Sequence, residues 1–317
     1  MGKDDLRNAK YVIDIGPVPS IPVEGSDMRF PVGRIYCVGR NYAEHAKEMG
    51  HDPNREPPFF FMKAANSIVQ NGSEVGYPVG TKDVHHEIEM VVALGKGGKN
   101  IPVEGSDARF PVGRIYCVGR NYADHAREMG HDPDREPPFF FMKAANSVVQ
   151  NNSTIGYPVG TKDVHHEIEM VVAIGKGGKN IPVEKALEHV WGYGVGLDMT
   201  RRDIQGEAKK MGRPWEMGKS FDESAPITAI RPVSATGHPA KGAIWLKVNG
   251  QVKQQGDLAM QIWTVPEQIN YLSNLITLQP GDLIFSGTPA GVGPIKAGDK
   301  LEGHVDGVGD LVVTYRT

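Results

Sequence analysis

Two carboxylates stand one residue apart in the run HHEIEM, at Glu167 and Glu169. If the run is a strand, side chains alternate between its faces, so both acids project together while Ile168 and Met170 point the other way. Carboxylates that close repel unless a cation or water separates them. A hard divalent ion such as Mg²⁺ or Mn²⁺ favours such oxygen donors. A third donor stands further along the chain, at Asp198 of GYGVGLDMTRRD. A solvent-facing strand with hydrated glutamates satisfies the same spacing. A zinc-protease reading is excluded, because HHEIEM lacks the second histidine of that motif.

A second candidate lies in NYADHAREMG, where His125 and Glu128 are three apart and therefore neighbours on a helix. The carboxylate can orient the imidazole as a base toward water, although a surface ion pair uses the same spacing. Gln205, Lys219 of MGKSF and Thr288 of SGTPAGVGP form a third set, with glycines nearby that permit close approach of a ligand and equally permit ordinary turns. Lys143 follows three aromatics in FFFMKAAN, where burial of the stem with an exposed ammonium is the plain expectation. GKGGKN lacks a phosphate-loop pattern and GYGVGLD lacks the last glycine of a dinucleotide fingerprint, so both are expected to be turns.

Short elements must hold these groups. RIYCVG reads as a strand followed by a short helix over NYADHAREMG, and HHEIEMVVAIGKGG as a β-branched strand stopped by glycines. Pro182 begins a predicted helix with Ala186, Leu187, Val190 and Trp191 on one face. Asn249-Gly250 sits between two alternating runs and predicts a hairpin. Thr264 and Glu267 have capping-box spacing before a helix whose Ile269, Leu272, Leu275 and Ile276 should face the core. DLIFSGTP and DLVVTYR read as late strands. Strands outnumber helices, so the expected class is α+β with a mostly antiparallel or mixed sheet.

Thirty-five basic and 38 acidic residues among 317 give a net charge of −3, too little positive field to hold a nucleic acid or an anionic membrane. The longest apolar runs fall well short of the ~20 residues of a membrane span. The opening MGKDDLRNAK is charged throughout, unlike a secretory leader, and a cytoplasmic location is expected.

The residues from 21 to 100 recur from 101 to 180 with nine differences, and the tetrapeptide IPVE stands at 21, 101 and 181. A head-to-tail duplication joined at IPVE accounts for this, whereas a solenoid needs several stacked units. Removing one unit leaves a chain of ordinary length for one domain. Cys37 and Cys117 then represent one thiol counted twice, expected to be reduced and buried. The first copy repeats His45, Glu48, Glu87 and Glu89 without a second aspartate segment. Glu169 stands one full repeat closer to Asp198 than Glu89 does, so the second copy is expected to fill the core and the first to expose its apolar strands. The expected division is a lead at 1–20, an extra copy with an incomplete site at 21–100, and the complete unit at 101–317.

From about residue 101 onward IYCVGRNYADHAREMG, HHEIEMVVAIGKG, GYGVGLDMTRRD, WEMGKSFDESAP, LKVNGQVKQQGD and ITLQPGDLIFSGTPAGVGP follow in order. Together they resemble the fumarylacetoacetate hydrolase family. PVEGSDARFPVGRIYCVGRNY and PPFFFMKAA are most similar to its fumarylpyruvate hydrolases. The resemblance implies a mixed β-roll of the family's C-terminal-domain type, carrying the duplicated N-terminal segment, usually as a homodimer. It implies Mg²⁺ or Mn²⁺ at Glu167, Glu169 and Asp198, and a water-activating pair at His125 and Glu128. Lys219 and Gln205 match positions that contact the substrate or its developing oxyanion. Arg202 and Thr288 match positions that shape the site for a substrate carboxylate, and Lys143 matches a lysine near the pair. The implied reaction is hydrolysis of the carbon–carbon bond of an acylpyruvate, fumarylpyruvate giving fumarate and pyruvate. Oxaloacetate decarboxylation and hydroxymuconate isomerisation are the alternatives within the family, and a duplicated chain without turnover is the alternative outside it. One departure stands out: Ala144 follows Lys143 where relatives commonly carry proline.

Overall fold

The computed structural model describes residues 10–14, 19–23, 27, 29–39, 59–78, 80–91, 100–128 and 137–317, the side chains of Asn100, Ala126 and Glu128 excepted. Its centre is an eight-stranded sheet. In spatial order the strands are Phe139–Lys143, Ile115–Gly119, Leu283–Phe285, Ile168–Ile174, Val190–Leu197, Ala225–Ile227 and Val148–Gln150, with Arg231–Pro232 paired onto Val190–Leu197. Most neighbours are antiparallel. Leu283–Phe285 runs parallel to Ile115–Gly119, and Ala225–Ile227 parallel to Val148–Gln150, so the sheet is mixed.

The Ile168–Ile174 strand is buried at every position, which its run of β-branched residues suits. Alternation sends Ile168, Met170, Val172 and Ile174 into one hydrophobic cluster, and Val171 and Ala173 into another on the opposite face. The first cluster is completed by a five-stranded sheet, in the order Ser153–Ile155, Gly309–Tyr315, Lys300–Val305, Ala243–Val248 and Gln251–Asp257, and by the helix Val265–Leu275. The second is closed by the hairpin of Asn100–Val103 and Ser106–Pro111. Asn249 and Gly250 turn the predicted hairpin with φ of 51° and 79°, as a type I′ turn demands. The capping box of Thr264 and Glu267 is present.

Three local expectations are corrected. GYGVGLD is not a turn but part of the strand Val190–Leu197, because its glycines give neighbours room: a Cβ at Gly196 would lie 2.7 Å from both Phe285 and Val171. The segment after Pro182 makes only a 3₁₀ helix, Val183–His189, so Val190 and Trp191 belong to the following strand. The capped helix ends at Leu275, which is exposed, and Ile276 lies beyond it in extended backbone.

In the first repeat copy Ser20–Pro22 and Arg29–Pro31 pair as Asn100–Val103 and Ser106–Pro111 do, whereas the counterparts of the central-sheet strands Ile115–Gly119, Phe139–Lys143 and Ile168–Ile174 have a different fate. Ile35–Gly39 and Phe59–Lys63 pair only with each other. That hairpin rests on the segment after the helix Glu216–Lys219, with Met62 Sδ 3.1 Å from Ser220 Oγ and Arg34 3.3 Å from Asp222. Residues 81–91 form no strand and are exposed throughout: Ile88 is 98% exposed where Ile168 is 0%. Part of the lead belongs to the fold, since Val12 N donates to Arg109 O, Arg109 N donates to Lys10 O, and Val12 and Ile13 pack on the second cluster. Cys37 and Cys117 are free and buried. No helix among the described residues is long and apolar enough to cross a membrane.

Candidate active site

Glu167 occupies the break between two short strands of different sheets, Val164–His166 and Ile168–Ile174. Glu169 is the second residue of the latter strand, on the face of Val171, and Asp198 follows the paired strand directly. The antiparallel register of Ile168 opposite Leu197, with Asp198 N donating to Glu167 O at 2.9 Å, closes the distance. One oxygen from each of the three acids lies within 4.8 Å of the others. All three are buried, which removes the reading of solvent-facing glutamates.

Lys219 reaches this cluster from the helix Glu216–Lys219. Its ammonium donates to Glu167 Oε2 at 2.8 Å and to Asp198 Oδ2 at 2.7 Å. Arg202 donates to Glu167 Oε1 at 2.5 Å and to Gln205 Oε1 at 2.7 Å. Burial disfavours ionised Glu167, but the Lys219 and Arg202 charges outweigh it and hold the carboxyl well below the usual range. Burial would also neutralise Lys219, and Asp198 and Glu167 reverse that, keeping its pKa raised. Glu169 behaves oppositely. Burial and then the negative charges of Asp198 and Glu167 push its pKa well up, although Gly287 N donates to it at 2.7 Å. Three buried carboxylates without histidine or cysteine suit a hard divalent ion. Such an ion would offset the repulsion of Asp198 and Glu167 that raises the pKa of Glu169.

His125, Glu167, Glu169, Arg202, Gln205, Lys219 and Thr288 line one pocket of about 380 Å³ including its mouth. His125 is 5% exposed on the helix Ala123–Glu128, whereas the Glu128 side chain lies outside the described residues. So do the first-copy His45 and Glu48; Glu87 and Glu89 are exposed and take no part in the cluster. Lys143 requires correction. Its ammonium is neither on the pocket wall nor in solvent but behind the cluster, 2.8 Å from Asp198 Oδ1, donating to Met199 O at 3.0 Å and to Lys219 O. Inside, the ammonium meets a counter-charge and two carbonyl acceptors, which offset the hydration it gives up.

Four residues escaped the sequence reading. Gln254, fully buried in an otherwise exposed stretch of strand, accepts from Ile168 N at 3.1 Å, lies 2.9 Å from His166 Nδ1 and donates to Thr288 Oγ1 and Pro289 O, both at 2.8 Å. It fastens the acid-bearing strand to the Thr288 loop. Arg120, Lys209 and Trp215 line the outer pocket. Lys209 is drawn down to about 8 by burial and by the charges of Arg202, Lys219 and Arg120. Its sequence signal was available: Arg202, Gln205 and Lys209 have the spacing of one helical face.

The sequence model of the family described as "Fumarylacetoacetate (FAA) hydrolase C-terminal" matches residues 34–109 and 114–316. The chain is similar to the crystal structure of fumarylpyruvate hydrolase from Pseudomonas aeruginosa in complex with Mn²⁺ and pyruvate. Identity is 53% and the TM-score 0.68, over 72% of this chain and 99% of that one. It is also similar to 5-carboxymethyl-2-hydroxymuconate delta-isomerase from Mycobacterium smegmatis, at 33% identity and a TM-score of 0.58 over 65% and 80% of the two chains. The mitochondrial oxaloacetate tautomerase of Mus musculus is 45% identical over 194 residues, 61% of this chain and 87% of that one.

Proposed function

Because the chain belongs to the fumarylacetoacetate hydrolase family, we propose that it hydrolyses the carbon–carbon bond of an acylpyruvate, fumarylpyruvate giving fumarate and pyruvate. One observation carries this reading: the buried His125, the carboxylates Glu167 and Glu169 and the cations Lys219 and Arg202 line a single pocket, with the fully buried Asp198 completing the acid cluster. Hydrolysis needs a base for water, an anchor for substrate anions and positive charge where an oxyanion develops, and these groups supply each.

Glu167, Glu169 and Asp198 would hold Mg²⁺ or Mn²⁺, which when bound supplies Lewis-acid polarisation and neutralises enolate charge. His125, for which the sequence pattern implies Glu128 as partner, takes the proton from water as that water attacks the acyl carbonyl. Lys219 stabilises the tetrahedral oxyanion, and on collapse the acyl–carbon bond breaks with the electron pair leaving on pyruvate enolate. Arg202, Gln205 and Thr288 position the substrate carboxylate. Lys143 is a positioning residue that fixes Asp198 and Lys219. In this reading residues 101–317 are the catalytic unit, with 21–100 an extra, incomplete copy.

Likeness to an oxaloacetate tautomerase favours one second reading, proton transfer on oxaloacetate without attack by water. Loss of enol absorbance with each substrate, in the presence of Mg²⁺ or Mn²⁺, separates the two. Cleavage of fumarylpyruvate to fumarate and pyruvate, lost in H125A, supports the hydrolase. Turnover of oxaloacetate alone would replace it with the second reading.

A further inference from the structure

The helix Arg202–Lys210 presents Arg202, Gln205 and Lys209 to the pocket from one face. The first two are engaged: Arg202 holds Glu167 and Gln205. Lys209 stands one turn further out, about 6 Å along the axis from Gln205. Burial falls along the same line, from Gln205 at 2% exposure to Lys209 at the open mouth. Among the described residues no carboxylate pairs with Lys209. Its ammonium lies 4.8 Å from the centre of the Trp215 ring instead.

The surroundings of Lys209 are cationic and aromatic. Arg120 lines the same pocket, and its guanidinium stands 4.6 Å from the Phe139 ring centre. Its backbone is held in the left-handed region, φ 56°, a costly conformation for a residue with a side chain. Asn121 fixes it there: the side-chain amide donates to Trp263 O and Ser286 O at 2.9 and 2.7 Å and accepts from Trp263 N at 2.7 Å. Phe139 and Trp215 meet edge to face at 5.2 Å, and with Phe141 they form an apolar wall beside these charges. The charges of Arg202, Lys219 and Arg120 all bear on Lys209, and an anion at the mouth would relieve that repulsion.

We propose that Lys209, with Arg120, forms a distal anion subsite that binds a second carboxylate at the far end of the substrate's acyl group, selecting long, planar, doubly charged acylpyruvates over short or singly charged ones. The subsite rests on the acylpyruvate reading above and adds the part of the substrate that reading leaves open. The inner groups serve the pyruvate half common to every acylpyruvate. The aromatic wall accommodates an unsaturated chain, and one helical turn separates the two anion-binding levels.

The test uses the full-length, Mn²⁺-loaded protein as wild type, K209M and K209R, with fumarylpyruvate and acetylpyruvate as substrates. Methionine keeps the stem against Trp215 and removes the charge. The preference for fumarylpyruvate, as the ratio of kcat/KM values, should fall about tenfold or more in K209M, mainly through KM, and K209R should restore most of it. An unchanged ratio, or an equal loss on both substrates, overturns the subsite. If wild type cleaves neither compound, the hydrolase reading fails by itself. The subsite is then judged by calorimetry with fumarate: about tenfold weaker binding to K209M supports it, and equal binding to all three proteins refutes it.

Discussion

Lys219 joins two carboxylates in a space that excludes water, and its ammonium is their shared counter-charge. Removing one partner of a buried ion pair strands the other, at a cost of about 3–5 kcal/mol. K219M should therefore lower the stability of the metal-free protein by about that much in urea denaturation, and saturating Mn²⁺ should recover part of the loss. If Lys219 also meets the oxyanion, kcat should fall by about 10²-fold or more even in the metal-loaded protein. Ala144 shows how finely the neighbouring residue is set. Its φ of −69° and ψ of 138° would admit proline, but its N–H donates to Ser220 Oγ at 2.9 Å, a bond that proline cannot make. The departure from proline thus ties the Lys143 strand to Ser220, the residue directly after the helix that carries Lys219.

At the scale of elements, the paired strands Ile168–Ile174 and Val190–Leu197 bring Glu169 and Asp198 together, and Gly196 sets how closely the second can lie under Phe285. G196A should cost about 1–3 kcal/mol by overpacking and should weaken Mn²⁺ binding through Asp198, two positions on. Urea denaturation and metal titration read the two effects. Much of this arrangement was legible in the sequence. Glu-x-Glu and a later aspartate suggested the cluster but left hydrated glutamates equally open, since the same pair at Glu87 and Glu89 is exposed and only burial distinguishes Glu167 and Glu169. Asn249-Gly250 and the Thr264 capping box were equally plain, since each acts within a few residues. GYGVGLD misled because its glycines answer neighbours distant in sequence, and local spacing cannot distinguish a glycine that turns the chain from one that makes room. Lys143 misled similarly, its partner Asp198 lying several strands further along the chain. Arg120 and Trp215 carried no signal at all, since the pocket that defines them is assembled from several segments.

For the whole molecule, the described residues 64–78 and 80–91 of the first copy have no strand pairing and expose Val75, Tyr77, Ile88, Met90 and Val91. Deleting residues 21–100 should leave a folded, Mn²⁺-binding protein, with an unchanged or higher Tm and weaker fluorescence of a bound hydrophobic dye. A deletion variant that fails to fold would show instead that the first copy supports the core. TKDVHHEIEMVVA occurs at 81 and again at 161, letter for letter. In both places Thr Oγ1 caps the third residue of the run and the first histidine lies 2.9 Å from the aspartate, yet only the second run becomes a strand. The molecule thus contains its own control, separating what a peptide does by itself from what its address adds. Side-chain bonds two residues apart survive anywhere, whereas a strand exists only where a partner edge awaits it. The choice between the two addresses carries a bias from chain entropy. Closing the short loop from Glu169 to Asp198 is easier by about 1 kcal/mol than closing the loop from Glu89, which is longer by a whole repeat, so identical sequences begin folding as unequal competitors.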